Sequence, residues 1–298
     1  MRGRDIALAL LVVSVWGVNF VVIKIGLQEL PPILFAALRF ALAALPAVFF
    51  LKRPRTAIKL VVLFGLFMFA LQFGLLFAGM YVGMPAGLAS LILQAHVFIT
   101  IALAVAFLGE TAGRAQIFGA LLAAAGLGLV AFNLSGSTTL TGLFLVVLAA
   151  CSWAIANLVT KRIGSVDLLS LVAWGSLVAP VPLLLLSAVI EGPGVYRQVY
   201  ETVTWRGILA LFYIVYPTTL LGFSVWSGLL ARYPAATVAP FTLLVPIVGM
   251  VSAALVLGEP LQRWKLGAAA LVVSGLCINL FGWPSAARLR RITGWRGV

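Results

Sequence analysis

Charge is what this chain has least of. Of its 298 residues only 9% are Asp, Glu, Lys or Arg, while 63% are apolar and the mean hydropathy is +1.19. Soluble domains carry roughly 25% charged residues, so a water-facing globular fold is excluded. The deficit runs the whole length, so the medium around the apolar surface is a membrane interior. Acidic residues are the scarcest: Asp5, Glu29, Glu110, Asp167, Glu191, Glu201 and Glu259, each in a loop or at the end of an apolar stretch. No carboxylate stands in mid-membrane, where proton-coupled pumps usually keep one. An intramembrane carboxylate relay therefore finds no support, and coupling would have to use His96, an end-lying Glu or the substrate's own gradient. Histidine occurs once, and the two cysteines, Cys151 and Cys277, both lie inside apolar stretches. They read as small hydrophobes rather than a disulfide or a metal pair. G-x-x-x-x-G-K-[ST], H-E-x-x-H and G-x-S-x-G are all missing. ATP-driven pumping is thereby excluded, and no enzyme chemistry, cofactor or metal is expected.

Positive charge is in excess, at +13 with a pI near 10.7. Its placement in short loops and chain ends, not on a polar folded face, argues against nucleic acid and for retention on the cytoplasmic side of a membrane. The first apolar run follows MRGRD but has no small-residue cleavage site. It also carries a motif echoed later, so it reads as a helix of the mature protein and not a signal peptide.

A helix needs roughly 20 apolar residues to cross a bilayer. That length marks spans near 6–27, 32–51, 58–80, 85–108, 115–133, 142–160, 168–190, 207–230, 235–257 and 264–283. The segment 191–206, EGPGVYRQVYETVTWR, is amphipathic in places and suits the interface. With a cytoplasmic N-terminus, that side collects Arg2, Arg4, Lys52, Arg53, Arg55, Lys59, Arg114, Lys161, Arg162, Arg232, Arg288, Arg290, Arg291 and Arg296. The opposite loops hold Arg197, Arg206, Arg263 and Lys265. This bias places both termini in the cytoplasm.

The chain also repeats itself. PAGLASLILQAHVFITIALAVAFLGE at 85–110 returns as PAATVAPFTLLVPIVGMVSAALVLGE at 234–259, a shift of 149 residues that also pairs Arg114 with Arg263 and Gly126 with Gly275. Spaced self-similarity marks a duplicated module. Five spans per copy put the copies upside down relative to each other, the architecture of secondary transporters. The expected fold is therefore all-α and integral to the membrane, with two inverted five-helix repeats at 1–137 and 138–298.

Polar residues within the spans are the candidates for function. SVWGVNFVVIK at 14–24 and CSWAIANLVTK at 151–161 both place Trp eight residues before Lys, with Asn19 and Asn157 following Trp16 and Trp153. An Asn in hydrocarbon serves either as helix–helix glue or as an amide facing a cavity, and both readings stand at this point. Gln72 and Gln94 could bind a zwitterion without burying charge. Tyr213, Tyr216, Ser224 and Trp226 are further cavity candidates, with His96 read first as a hydrogen-bonded core residue and second as a relay. Arg39 is the one expected buried charge; it could meet a substrate carboxylate or tie its helix to a neighbour. Gly83, Pro85, Pro240 and Pro246 are hinge candidates, since Pro inside a helix frees backbone groups. Gly-rich GALLAAAGLG at 119–128 permits close helix packing within or between subunits.

WGVNFVVIK at 16–24, LRF at 38–40, GMPAGLASLILQ at 83–94, LGE at 108–110 and LLVPIVGMVSAALVLGE at 243–259 resemble the EamA family of the drug/metabolite transporter superfamily, over nearly the whole chain. The nearest branch is that of bacterial inner-membrane exporters of amino acids and related metabolites. The resemblance implies a central cavity lined by the first, third, fourth, sixth, eighth and ninth helices, with Asn19, Gln72, Gln94, Trp153 and Asn157 among its residues. Cysteine-exporter relatives carry a polar amide near the place of His96, so the resemblance speaks to fold and not to substrate. The reading is an exporter of amino acids or related small metabolites working by alternating access, expected as a monomer whose partners are that solute and membrane lipid. The competing readings are a broad drug or cation efflux carrier, disfavoured by the missing buried carboxylate; a membrane binding or regulatory protein that transports nothing; and a lipid-modifying enzyme, disfavoured by the missing acid/base set.

Overall fold

The computed structural model describes residues 1–134 and 138–282. The C-terminal arginines of the charge argument (Arg288, Arg290, Arg291 and Arg296) and the boundary near 137 lie outside the described residues. Among the described residues, ten helices are long and apolar enough to cross a membrane: α1 Gly3–Gly26, α2 Pro32–Phe50, α3 Ile58–Tyr81, α4 Ala86–Leu108, α5 Arg114–Phe132, α6 Leu140–Ile163, α7 Leu168–Ile190, α8 Trp205–Arg232, α9 Ala239–Leu257 and α10 Arg263–Phe281. A short helix, Val195–Thr202, bridges α7 and α8. One turn of helix, Ala235–Val238, precedes α9, so the ninth span begins four residues later than its apolar run suggests.

Local chemistry sets the ends. Pro32 opens α2 at the first helical turn, where its missing N–H costs nothing. Gly109 and Gly258 close α4 and α9 with φ of 67° and 68°, a left-handed conformation glycine adopts without a Cβ clash. The next N–H in each case, Glu110 and Glu259, bonds the carbonyl of Ala104 and Ala253 at 3.3 Å. These paired features stand 149 residues apart.

Lipid tails are as apolar as leucine, so packing and hydrogen bonds, not water exclusion, hold such a bundle together. Small residues bring the backbones close. A methyl group on Gly119 of α5 would stand 2.6 Å from the carbonyl oxygen of Gly275 on α10, and one on Gly126 would stand 3.0 Å from that of Ala268. The glycine-rich stretch of α5 is thus spent on α10 of the same chain. Between α2 and α3 the core is aromatic: Phe40 packs against Phe69 and Phe73 with centroids 5.0 and 5.1 Å apart, and Phe35 against Phe77 at 5.2 Å.

Four spans change helix type, and α7 breaks at 177–179 just ahead of Pro180. α3 passes through a π-helical turn at Leu66–Leu71 and α8 through another at Ile214–Leu221. α4 tightens to a 3₁₀ turn at Leu93–Ala95, and α9 opens with one at Ala239–Leu243. Pro217 and Pro240 account for two of these, since each removes a backbone donor. α3 and α4 have no proline inside. Pro85 precedes α4 as its N-cap and Gly83 lies in the turn before it, with φ of 120°. As hinges these two therefore belong to a turn, not to a helical kink. Pro246 sits buried within α9.

Candidate substrate cavity

The irregular turns converge on one cavity. It has a volume of about 420 Å³, within the ordinary range for small-molecule sites. Its walls are mostly aromatic and aliphatic, including Trp16, Phe20, Phe69, Phe73, Phe223 and Trp226. Gln72 follows the π turn of α3 directly, and Thr218 lies within that of α8. Gln94 is inside the 3₁₀ turn of α4, with His96 just after it, and Thr242 is in that of α9. π turns are frequent at functional sites because the wider turn redirects side chains and loosens the backbone ladder.

The cavity has a polarity along the bundle. Toward the end that holds Gly3 and Phe281 it reaches Leu168, Ala239 and Leu280, at or next to the ends of α7, α9 and α10. Toward the far end its lining stops at Phe20, Leu76 and Arg39, each five or more residues short of a helix end. Its lining thus extends to the end that holds Gly3 and Phe281 and stops short of the other.

Three carboxylates close the far end, each capping the N-terminus of a helix from another span. Glu259 accepts from the N–H groups of Ala86 and Gly87 on α4 at 2.7 and 3.1 Å. Glu191 accepts from those of Ile33 and Leu34 on α2 at 2.7 and 3.1 Å, and from the Ser187 hydroxyl at 2.6 Å. Glu29 accepts from the Thr204 hydroxyl and from the N–H groups of Thr204 and Gly207 at the start of α8. Helix N-termini leave unpaired donors and carry partial positive charge, so carboxylates bind there favourably. The Thr204 hydroxyl first, and then the Thr204 and Gly207 backbone, hold the Glu29 carboxyl below its ordinary range against a smaller opposing effect of burial. The other four carboxylates are also engaged. Glu110 pairs with Lys161 and Glu201 with Arg197, Asp5 with Arg232 and Tyr233, and Asp167 caps its own helix at Ser170. None of the seven lines the cavity.

The candidate residues fall into two groups. Asn19, Gln72, Gln94, His96, Trp153 and Trp226 share the cavity. The His96 ring lies flat on Trp153, with centroids 3.8 Å apart and planes 11° from parallel, and Trp226 packs on Trp16 at 5.2 Å. Asn157 and Tyr213 stand apart from the lining. Asn157 donates to Thr100 on α4 at 3.0 Å, and the Tyr213 hydroxyl donates to the Val15 carbonyl on α1 at 3.1 Å. Both tie helices together. Tyr216 is exposed on the outer surface, and the Ser224 hydroxyl is spent on the Leu220 carbonyl. Both cysteines are free.

Arg39, whose sequence context allows a substrate-facing or a structural role, lines the cavity. Thr218 and Thr242 line it as well, and the sequence signal for them is the broken helix marked by nearby Pro217 and Pro240. The lining also includes α2, α7 and α10, beyond the six helices expected.

Among the described residues, a helical bundle around a polar-studded cavity that reaches one end and is capped at the other has the form of a solute carrier. The chain belongs to the EamA-like transporter family, whose profile matches residues 4–132 and again 140–281. It is similar to a Salmonella typhimurium protein named "Probable amino-acid metabolite efflux pump", with 44% identity over 99% of this chain and 100% of that one. An Escherichia coli protein of the same name is 42% identical over 97% and 99%. A Streptantibioticus cattleyicolor protein named "Probable terminal-alkyne amino-acid exporter" is 28% identical over 91% of each chain. A solved crystal structure with 16% identity shares the fold, with a TM-score of 0.62 over 98% of this chain and 99% of that one. The chain is a multi-pass membrane transporter and not an enzyme.

Proposed function

We propose that this transporter exports amino acids or closely related metabolites across the cytoplasmic membrane by alternating access. The repeats, 1–137 and 138–298, lie inverted with both termini cytoplasmic, and the cavity described here then faces the cytoplasm, ready to load. The observation that carries this reading is the one-sided cavity with unpaired polar groups at its blind end. Asn19 Oδ1, Gln72 Oε1 and Thr218 Oγ1 are buried without a partner, and all three residues line the cavity. Buried polar atoms in native proteins are normally satisfied, so vacant ones on residues that line a cavity suit a polar ligand. Trp153, stacked on His96, and the aromatic walls would take the ligand's apolar side chain, while the Asn and Gln amides would hold its polar end.

The two most similar relatives cited carry the amino-acid metabolite name, which supports the same substrate class. A cation efflux carrier fits less well, because no carboxylate lines the cavity to take the charge. The test is release from living cells. Bacteria overproducing the chain and fed leucine- or phenylalanine-containing dipeptides should raise the free amino acid in the medium severalfold over a vector control. Equal release from both would contradict the reading.

A further inference from the structure

Arg39 is buried to 2% exposure within α2, with no carboxylate beside it. Its Nε and Nη2 both donate to a single oxygen, Thr219 Oγ1, at 3.3 and 3.2 Å, and that hydroxyl in turn donates a hydrogen bond to the Ile214 carbonyl in the π turn of α8. The guanidinium lies 4.2 Å from the Phe73 ring centroid and 5.3 Å from that of Phe40. Stacking and the shared hydroxyl therefore fix its plane. Nη1 is buried and has no partner.

A guanidinium carries five donors and remains charged in proteins. In a membrane interior such a cation is costly unless an anion or carbonyl groups compensate it. All seven acidic side chains are engaged elsewhere. The compensating anion must then come from what enters the cavity. A planar, pre-oriented fork with a free edge matches a carboxylate. The vacant acceptors Asn19 Oδ1, Gln72 Oε1 and Thr218 Oγ1 line the same cavity and suit an ammonium group.

We propose that Arg39 is the anchor for the carboxylate of the transported solute, which makes the cavity selective for carboxylates bearing an apolar side chain. The inference rests on the transport reading and narrows it. Thr219 and Phe73 act as positioning residues, holding the guanidinium plane fixed beside the cavity.

The test is ligand binding by the full-length chain in detergent, followed through the fluorescence of the cavity tryptophans Trp16, Trp153 and Trp226. Three probes separate the groups: phenylalanine, phenylalaninamide (no carboxylate) and 3-phenylpropionate (no ammonium), with leucine, leucinamide and 4-methylpentanoate in parallel. Phenylalanine or leucine should bind about tenfold or more tightly than its amide, about 1.4 kcal/mol. Arg39→Gln should abolish that preference by weakening the acids and leaving the amides unchanged, and Arg39→Lys should restore part of it. If Arg39→Gln does not fold, the wild-type comparison of acid with amide still decides. Amides binding as well as acids, or no binding by any carboxylate, overturns the inference. Carboxylates without an amine binding through Arg39 while amino acids do not would uphold Arg39 and refute the amino-acid reading.

Discussion

Glu259 and Glu110 occupy the same place in two related helices and are held in different ways. Each follows a left-handed glycine, and each backbone N–H reaches an alanine carbonyl six residues back at 3.3 Å. Yet the Glu259 carboxylate is seated on the N-terminus of α4, while that of Glu110 is taken by Lys161 at 2.8 and 2.9 Å. Lys24, which ends the motif that Lys161 ends in the second half, donates instead to the Met80 carbonyl at 2.6 Å. One local backbone thus supports two partners, a helix N-terminus or a lysine. In the proposed inverted arrangement they distinguish the closed end from the open one.

From this follows a prediction about the far end. Glu259→Gln should weaken its closure, because the charge seated on the α4 N-terminus is lost. Helix caps are worth about 1 kcal/mol, so the far-end-open population should rise about fivefold. In a cysteine-free background, Leu76→Cys at the blind end would report it. Labelling by a membrane-impermeant maleimide from the outer face should increase severalfold with Glu259→Gln, and an unchanged rate would count against the cap as a gate.

Acid should act on the same closure. The Glu29 pKa is lowered by its contact with Thr204 and α8, so the contact favours the ionised form. Its stabilisation is complete above the ordinary glutamate range of about 4.3 and is lost as pH falls through the lowered pKa. Outer-face labelling of Leu76→Cys should therefore be flat across neutral pH and rise only in strong acid. With Thr204→Val the rise should begin at higher pH. A rise near neutrality in the parent protein would contradict this assignment.

The α5–α10 contact predicts a packing defect. Gly275→Ala would drive a methyl group into the Gly119 carbonyl, and overpacking costs about 1–3 kcal/mol. The apparent melting temperature in detergent should fall by several degrees. No change would show that the helices separate freely.

The His96–Trp153 stack should set affinity for the apolar part of the solute. Trp153→Ala removes one cavity wall, and an aromatic contact of about 0.5–1.5 kcal/mol converts to a roughly two- to thirteenfold rise in KM. Trp153→Phe should be nearly neutral. A transport loss through kcat alone would place the residue in the conformational step instead.

The spans were legible because hydrocarbon thickness sets a length that the sequence must meet. α7 occupies 168–190 as read, and the other nine boundaries lie within four residues. The carboxylates were legible as end residues but not as caps, because a cap on another helix is a tertiary contact with no local pattern. The π turn of α3 left no trace either, having no proline or glycine inside it. Asn19 and Asn157 show the limit of reading by repeat. They sit in matching motifs, yet Asn19 lines the cavity and leaves its side-chain oxygen without a partner, while Asn157 bonds Thr100.

Counterflow in proteoliposomes tests the central claim most directly. Vesicles loaded with unlabelled leucine and diluted into trace labelled leucine should accumulate label transiently above the external level, without an imposed pH gradient. Phenylalanine outside should inhibit this. A protein that is monodisperse and reconstituted but gives no overshoot with any amino acid would contradict the account.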